Sequence, residues 1–293
     1  MSQLDTLSRK DRQIPKSYDN GNVLAHSPNA ANDSVVRSEY LLNRLYNTPE
    51  NNLFSYVKFH LVSQQIQRTG IRRPRIMDIG CGLQVANRFL SAIGGDINYF
   101  GIDYEAGFKP DAVVDINQHG SLRQAMTWAP DVVMMLDVLE HLHDNQHDLE
   151  RVIENVAHSM PKEAKLVITV PQLYRLDSFK PKHLHYPEHK IRLTQREWRV
   201  LIEKHFDIQV TQGVGYLSVL PYLTMLSKRY SPDNALGRLF NHLRSRTFEK
   251  PWLKPVDLFL SNMLGRLPVL KRLSNDILFV ATVRQSNGKS KPR

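Results

Sequence analysis

The sequence predicts an α/β protein: a doubly wound, mostly parallel seven-stranded sheet with helices on both faces, N-terminal helices before it and a helical insertion before its last strand. Two observations carry this reading. From Arg75 onward, short apolar runs alternate with stretches whose apolar residues recur every three to four positions, and strand, helix, strand in series builds a parallel sheet covered on both sides. The first run then breaks at "MDIGCG", residues 77–82, where two glycines arrive just as the apolar residues stop. Glycines at a strand tip let the backbone turn sharply and approach a ligand closely.

The elements follow in order. Residues 1–35 are polar and rich in Asn, Ser and Asp, with too little apolar content to repay ordering, and read as a loose arm. Val36, Leu41, Leu42 and Leu45, then Leu53, Val57, Leu61, Val62 and Ile66, predict two helices, and Pro74 closes the linker. "RIMDIG" is the first strand and "NRFLSAIGG" a helix ending at Gly94 and Gly95. "NYFGID", "AVVDI" and "DVVMML" are strands two to four. A helix with Leu149, Val152, Ile153, Val156 and Met160 on one face leads to "KLVITV", strand five. "TQREWRVLIEKHF" opens with Thr194 and Glu197 at capping-box spacing and turns Trp198, Leu201 and Ile202 inward. "DIQVTQ" and "DILFVATV" complete the sheet. The organisation is thus a core over residues 36–215, an insertion over 216–275, a final core strand over 276–284 and a loose tail over 285–293.

An apolar fraction of 41% suffices for a core of this size. Cys81 is the only cysteine, so no intramolecular disulfide forms and a reducing cytoplasm is the natural compartment. The N-terminus lacks an apolar signal core, and no apolar stretch reaches the roughly 20 residues of a membrane span. Secretion and membrane insertion are disfavoured, whereas peripheral association stays open. The net charge of +10 suits an anionic membrane surface, nucleic acid or a phosphorylated substrate. Most of the excess lies late: residues 216–275 hold ten Lys or Arg against three acids.

In an open parallel sheet the ligand crevice lies beyond the carboxyl ends of the strands. Gly80 and Gly82 fall there, although a tight turn with no ligand would also use them. Asp78 beside them suits a cationic or hydroxyl-bearing ligand and opposes a phosphate. Asp103 ends the second strand, where an acid can accept hydrogen bonds from both hydroxyls of a ribose; an exposed turn acid is the alternative. Asp115 ends the third, where it could accept from an exocyclic adenine amine or serve as a surface acid or helix cap. In "LDVLEHLHD", Leu136 and Asp137 reach the middle of the crevice while Glu140 and His141 face the reaction space.

Together "MDIGCG", "FGID" and "DVLEHL" resemble the class I, Rossmann-like, S-adenosylmethionine-dependent methyltransferases from about Arg75 to Phe206. The resemblance implies that Asp78, Gly80 and Gly82 form the cofactor turn, that Asp103 holds the ribose, that Asp115 and the Ile116 backbone hold adenine, and that Leu136 lines the methionine portion. A frequent third glycine of that family is Gln84 here. The implied cofactor is S-adenosyl-L-methionine.

A hydroxyl acceptor would need a general base, and His141 is placed for it by motif, with a backbone-bonded helix-start histidine as the alternative. His183, His185 and His189 follow strand five; their spacing matches no closed metal site, and no metal is expected. In similar enzymes an "EH…T..EW" stretch precedes the last major helix, and His189 fits that place, which makes it a second catalytic candidate. In the insertion, Val256, Phe259, Leu260, Met263, Leu264, Leu267 and Leu270 line one helical face despite Pro268. Flanked by Lys and Arg, such a stripe suits either a lid packed on the domain or a helix on anionic lipid. The favoured reading is methyl transfer to a small-molecule or lipid-linked acceptor. An RNA methyltransferase and a non-catalytic, S-adenosylmethionine-binding regulatory domain are the alternatives. A nicotinamide oxidoreductase is disfavoured because Val85 stands where the dinucleotide fingerprint expects Gly or Ala. Oligomeric state is not readable from the sequence.

Overall fold

The computed structural model describes residues 52–93, 95–173, 189–218 and 250–284. In chain order they form α1 (Leu53–Gln67), β1 (Arg75–Ile79), α2 (Val85–Ala92), β2 (Asn98–Asp103), β3 (Ala112–Val113), α3 (Leu122–Met126), β4 (Val132–Leu136), α4 (Gln146–Ser159), β5 (Lys165–Pro171), α5 (Gln195–Glu203), β6 (Phe206–Val214), α6 (Leu253–Met263) and β7 (Asp276–Val283). Helix α1 is the second of the two expected N-terminal helices. The first, around residues 36–45, lies outside the described residues.

The seven strands form one sheet in the order β3-β2-β1-β4-β5-β7-β6. The pairs β1–β2, β1–β4, β2–β3 and β4–β5 are parallel. Strand β7 slots antiparallel between β5 and β6, so β6 itself runs parallel to β5. The carboxyl ends of β1, β2, β4, β5 and β6 therefore share one edge, where β7 begins. The reversal between β1 and β4, whose next chain neighbours lie on opposite sides, opens the crevice at that edge.

Strand alternation sorts the core into two layers. Met77, Ile79, Val133, Met135, Ile168 and Phe279 face α3, α4 and α5, where Leu122, Val152, Ile153, Trp198 and Ile202 meet them. Ile76, Val132, Met134, Val167 and Leu278 face the other way, toward Val57, Leu61 and Val62 of α1, Phe89 and Leu90 of α2 and Leu253 of α6. Caps fix the helix starts. Asn52 accepts from the Ser55 amide at 2.9 Å, Asn145 accepts from the Asp148 amide at 2.9 Å, and Thr194 with Glu197 forms the expected capping box. Trp198 is fully buried and donates its indole N–H to the Pro171 carbonyl at 3.2 Å, tying α5 to the tip of β5.

Two expectations change. The third strand shrinks to Ala112–Val113, because at this sheet edge Val113 is largely exposed and little apolar burial holds a longer pairing. The stripe from Val256 to Leu270 does not ride on one helix: α6 ends at Met263 and gives way to short 3-10 turns over Leu264–Arg266 and Leu270–Leu273. Pro268 pushes the preceding Leu267 into an extended conformation, φ −78° and ψ 131°, which stops the helix. No helix among the described residues is long and apolar enough to cross a membrane.

Candidate functional site

The site is built from the tips of β1, β2 and β4. After Ile79 the chain turns through Gly80 at φ +73° and Gly82 at φ +50° into Gln84, which caps α2 at φ +54°. A Cβ on Gly80 would stand 2.7 Å from Val138 Cγ2, so glycine is required there by both conformation and space. The amides of Gly80 and Cys81 both donate to the Ile102 carbonyl, at 2.8 and 3.1 Å. The turn is thus pinned to β2.

Asp103 completes that clasp. Its Oδ2 accepts from the Gly82 amide at 2.9 Å and its Oδ1 from the Glu105 amide at 3.0 Å. The carboxylate is buried, and burial raises its pKa against the lowering effect of these amides. A carboxylate has about four lone-pair sites, so a fixed Asp103 keeps acceptor capacity for hydroxyls.

Asp78 lies on the α1 side of β1, buried, and accepts from the Tyr99 hydroxyl at 2.5 Å. Burial pushes its pKa up to about 7, with the Asp103 charge adding to the rise and the Tyr99 hydrogen bond and Lys58 opposing it. Asp115 is half-buried; it accepts from the Asn117 amide at 3.0 Å and from Gln118 Nε2 at 3.2 Å. The neighbouring Ile116 carbonyl accepts from Asn155 Nδ2 at 3.0 Å. Leu136 ends β4 and pairs with Thr169 of β5.

The sequence gives little hint of what stands beside Leu136. Lys58, 2% exposed in the middle of the apolar stripe of α1, forms an ion pair with Asp137. Asp137 sits at φ +56°, and its Oδ1 also accepts from the Thr169 hydroxyl at 2.6 Å. A lysine set among Val57, Phe59, Leu61 and Val62 was the available signal.

Glu140 is 1% exposed and its Oε2 has no hydrogen-bond partner. Burial, with Asp137 and Asp276 nearby, holds its pKa well above the usual carboxylate range. Its carbonyl accepts from the Lys190 and Ile191 amides at 2.8 and 3.3 Å, and this brings His189 to His141. Their ring centroids stand 4.9 Å apart at 73°, and His141 Nε2 lies 3.7 Å from Glu140 Oε1. One donor atom each from Glu140, His141 and His189 falls within 4.8 Å of the others, a grouping able to hold a metal ion and different from the three histidines weighed in the sequence. His183 and His185 lie outside the described residues.

Among the described residues the acids thus outnumber the cations at this edge: Asp78, Asp137 and Glu140 are gathered around Lys58, and Asp103 stands beside Asp78. Desolvation holds back the ionisation of three of them, and a cationic ligand would relieve that penalty. A sulfonium with an α-ammonium group and a ribose fits this set of acceptors, and a polyphosphate does not. Two surface hollows elsewhere, one lined by Gln146, Thr194, Arg196, Glu197 and Val200 and one by residues including Ser63, Pro74 and Ile97, touch none of these tips.

The family described as "Methyltransferase domain" matches residues 53–211. No curated protein matches the chain. Similar solved structures include a protein from Pyrococcus horikoshii, 12% identical, covering 84% of this chain and 99% of that one with a TM-score of 0.47. A SAM dependent methyltransferase from Archaeoglobus fulgidus is 17% identical over 76% of this chain and 94% of its own, with a TM-score of 0.42. The N-methyltransferase NodS from Bradyrhizobium japonicum, in complex with S-adenosyl-l-homocysteine, is 9% identical over 77% and 87%, with a TM-score of 0.43.

Proposed function

The chain belongs to the methyltransferase-domain family and is an S-adenosylmethionine-dependent methyltransferase of class I, and from that premise we propose that it methylates a small-molecule or lipid-linked acceptor whose accepting group must lose a proton. The cofactor supplies a methyl group already made electrophilic by the sulfonium, so the protein's part is to hold, align and deprotonate. In this reading Asp103 accepts from the ribose hydroxyls, and Asp78 with the Gly80–Gly82 turn faces the cationic end. Asp115 and the Ile116 backbone meet adenine, and Leu136 lines the methionine portion. Lys58, through Asp137, fixes the tip of β4.

His141 and His189 are the residues that act on the acceptor. The observation that carries the proposal is their edge-to-face contact at 4.9 Å, with the buried Glu140 Oε1 at 3.7 Å from His141 Nε2. Two imidazoles in contact let one take the acceptor's proton while the other orients it, and a positioned base contributes roughly 10²- to 10⁴-fold. Alignment of donor and acceptor supplies up to roughly 7 to 11 kcal/mol more. The lipid-linked option is supported by the apolar, basic segment that follows β6.

The test has two parts. Calorimetric titration with S-adenosylmethionine, wild type against Asp103→Ala, asks whether the tips hold the cofactor; equal affinities would dismiss the assigned roles. Incubation of cell extracts with methyl-labelled cofactor, followed by partition into organic and aqueous phases, asks where the label goes. Label in neither phase would dismiss both acceptor classes, and label confined to RNA would replace them.

A further inference from the structure

The segment between β6 and β7 is built inside out. Along α6 the buried positions are Leu253, Asp257 and Ser261, followed by Gly265, one every four residues. Three of the four are polar or lack a side chain. Asp257 accepts from the amides of Tyr216, Leu217 and Ser218 at 2.7, 2.9 and 3.2 Å. Ser261 accepts from the Gly215 amide at 3.0 Å and, through its carbonyl, from Gln212 Nε2 at 3.0 Å. The helix therefore spends its inward face satisfying the backbone at the end of β6, and its apolar stripe is turned outward. Trp252, Val256, Phe259 and Met263, spaced four, three and four residues apart, are 57%, 38%, 60% and 53% exposed. Leu267 and Val269 extend the apolar surface past the break. A lid packed through this stripe, one of the two readings of the sequence, does not fit that orientation.

The described charges of this segment, apart from the buried Asp257, have one sign. Between residues 250 and 275 the cations are Lys250, Lys254, Arg266, Lys271 and Arg272, and the only acid is the buried Asp257. An isologous contact with a second copy would set this basic rim against itself, and an apolar stripe has nothing to offer the phosphates of nucleic acid. A bilayer with anionic headgroups meets both features, apolar side chains at the acyl boundary and cations at the headgroups. The placement agrees, since α6 and the turns after it bridge the end of β6 and the start of β7 at the same sheet edge as the site.

We propose that the outward stripe of α6, with its basic rim, docks the enzyme on an anionic lipid surface, with the mouth of the crevice toward the bilayer. The inference deepens the proposed function, and rests on it only for the purpose of docking, which is to reach an acceptor carried on a lipid.

The test is co-sedimentation of the full chain with vesicles of phosphatidylcholine alone and of phosphatidylcholine with phosphatidylglycerol at about one part in three. Binding is expected only to the anionic vesicles, weakening as salt rises. Phe259→Asp combined with Met263→Asp is expected to lower the partition coefficient by about tenfold or more, and Lys271→Ser with Arg272→Ser by less. Phe259, Met263 and Arg272 are exposed and Lys271 is half-buried, and unchanged calorimetric affinity for S-adenosylmethionine verifies that the variants are folded. Absence of binding to anionic vesicles, or a partition coefficient unmoved by the Phe259 and Met263 changes, overturns the proposal. A dimer that dissociates in the same variant, without vesicle binding, assigns the stripe to a second copy instead. Vesicle binding with label transferred only to water-soluble acceptors upholds docking and removes the lipid-linked acceptor.

Discussion

His141 and His189, 48 residues apart in the chain, meet edge to face with 4.9 Å between ring centroids, because the carbonyl of Glu140 accepts the amides of Lys190 and Ile191. In the proposed function the contact makes them one unit. His141→Ala and His189→Ala are each expected to lower kcat by about 10²-fold or more with little change in cofactor affinity. The double variant should lose scarcely more than the worse single one, as groups acting together do. Single-turnover rates with calorimetric cofactor affinities measure this; multiplicative losses would show two independent roles.

The same grouping makes a prediction about metals. Glu140, His141 and His189 offer donors within 4.8 Å of one another, a set that suits zinc. If the imidazoles serve as base and orienter, chelators should leave turnover unchanged. Added zinc should inhibit by occupying both rings, reversibly with a chelator and more weakly in His189→Ala. Loss of turnover on chelation, restored by a divalent ion, would instead make the trio a metal centre.

Asp78 gives a pH dependence with a definite sign. Its folded pKa of about 7 lies above the ordinary aspartate value of 3.8, so the proton it retains favours the folded apoprotein below about pH 4, and that contribution fades as pH rises through 7. A cationic ligand needs the ionised form, so affinity for S-adenosylmethionine should rise about tenfold between about pH 6 and pH 8, with proton release. Asp78→Asn should flatten the profile. Calorimetry in buffers of differing ionisation enthalpy reads both effects.

The strands were legible to within a few residues because their signal is local: β2 and β7 match the expected runs over Asn98–Asp103 and Asp276–Val283. The acids at the tips were legible for the same reason, each being the last residue of an apolar run or close to it. Lys58 was hidden because its partner Asp137 lies 79 residues away, and a buried lysine contradicts the apolar pattern around it. The contact of His141 with His189 depends on how the chain returns after β5, which no spacing encodes. Spacing found the stripe on α6, but not its direction. That direction is set by Asp257 and Ser261 bonding to the backbone of residues 215–218.

The turn through Gly80, Gly82 and Gln84 carries a paired prediction. Gly80→Ala adds a Cβ 2.7 Å from Val138 Cγ2 at a φ of +73° and should cost about 2 to 4 kcal/mol. Gln84, where related enzymes often have glycine, holds φ +54° without one. Gln84→Gly should therefore stabilise by up to about 1 kcal/mol, the relief of backbone strain being partly offset by greater freedom of the unfolded chain. Denaturant midpoints of the two variants should move in opposite directions.

The ion pair of buried Lys58 with half-buried Asp137 should behave asymmetrically. Lys58→Met takes the ammonium group away from a half-buried carboxylate beside Glu140, and breaking such a pair from one side costs up to about 3 to 5 kcal/mol. Asp137→Asn added to that variant removes the negative charge while keeping an acceptor for the Thr169 hydroxyl, so much of the loss should return. Cofactor affinity separates structure from binding: if Lys58 acts only by fixing the tip of β4, the double variant recovers binding together with stability. Recovery of stability alone would mean that the ammonium group of Lys58 itself meets the ligand.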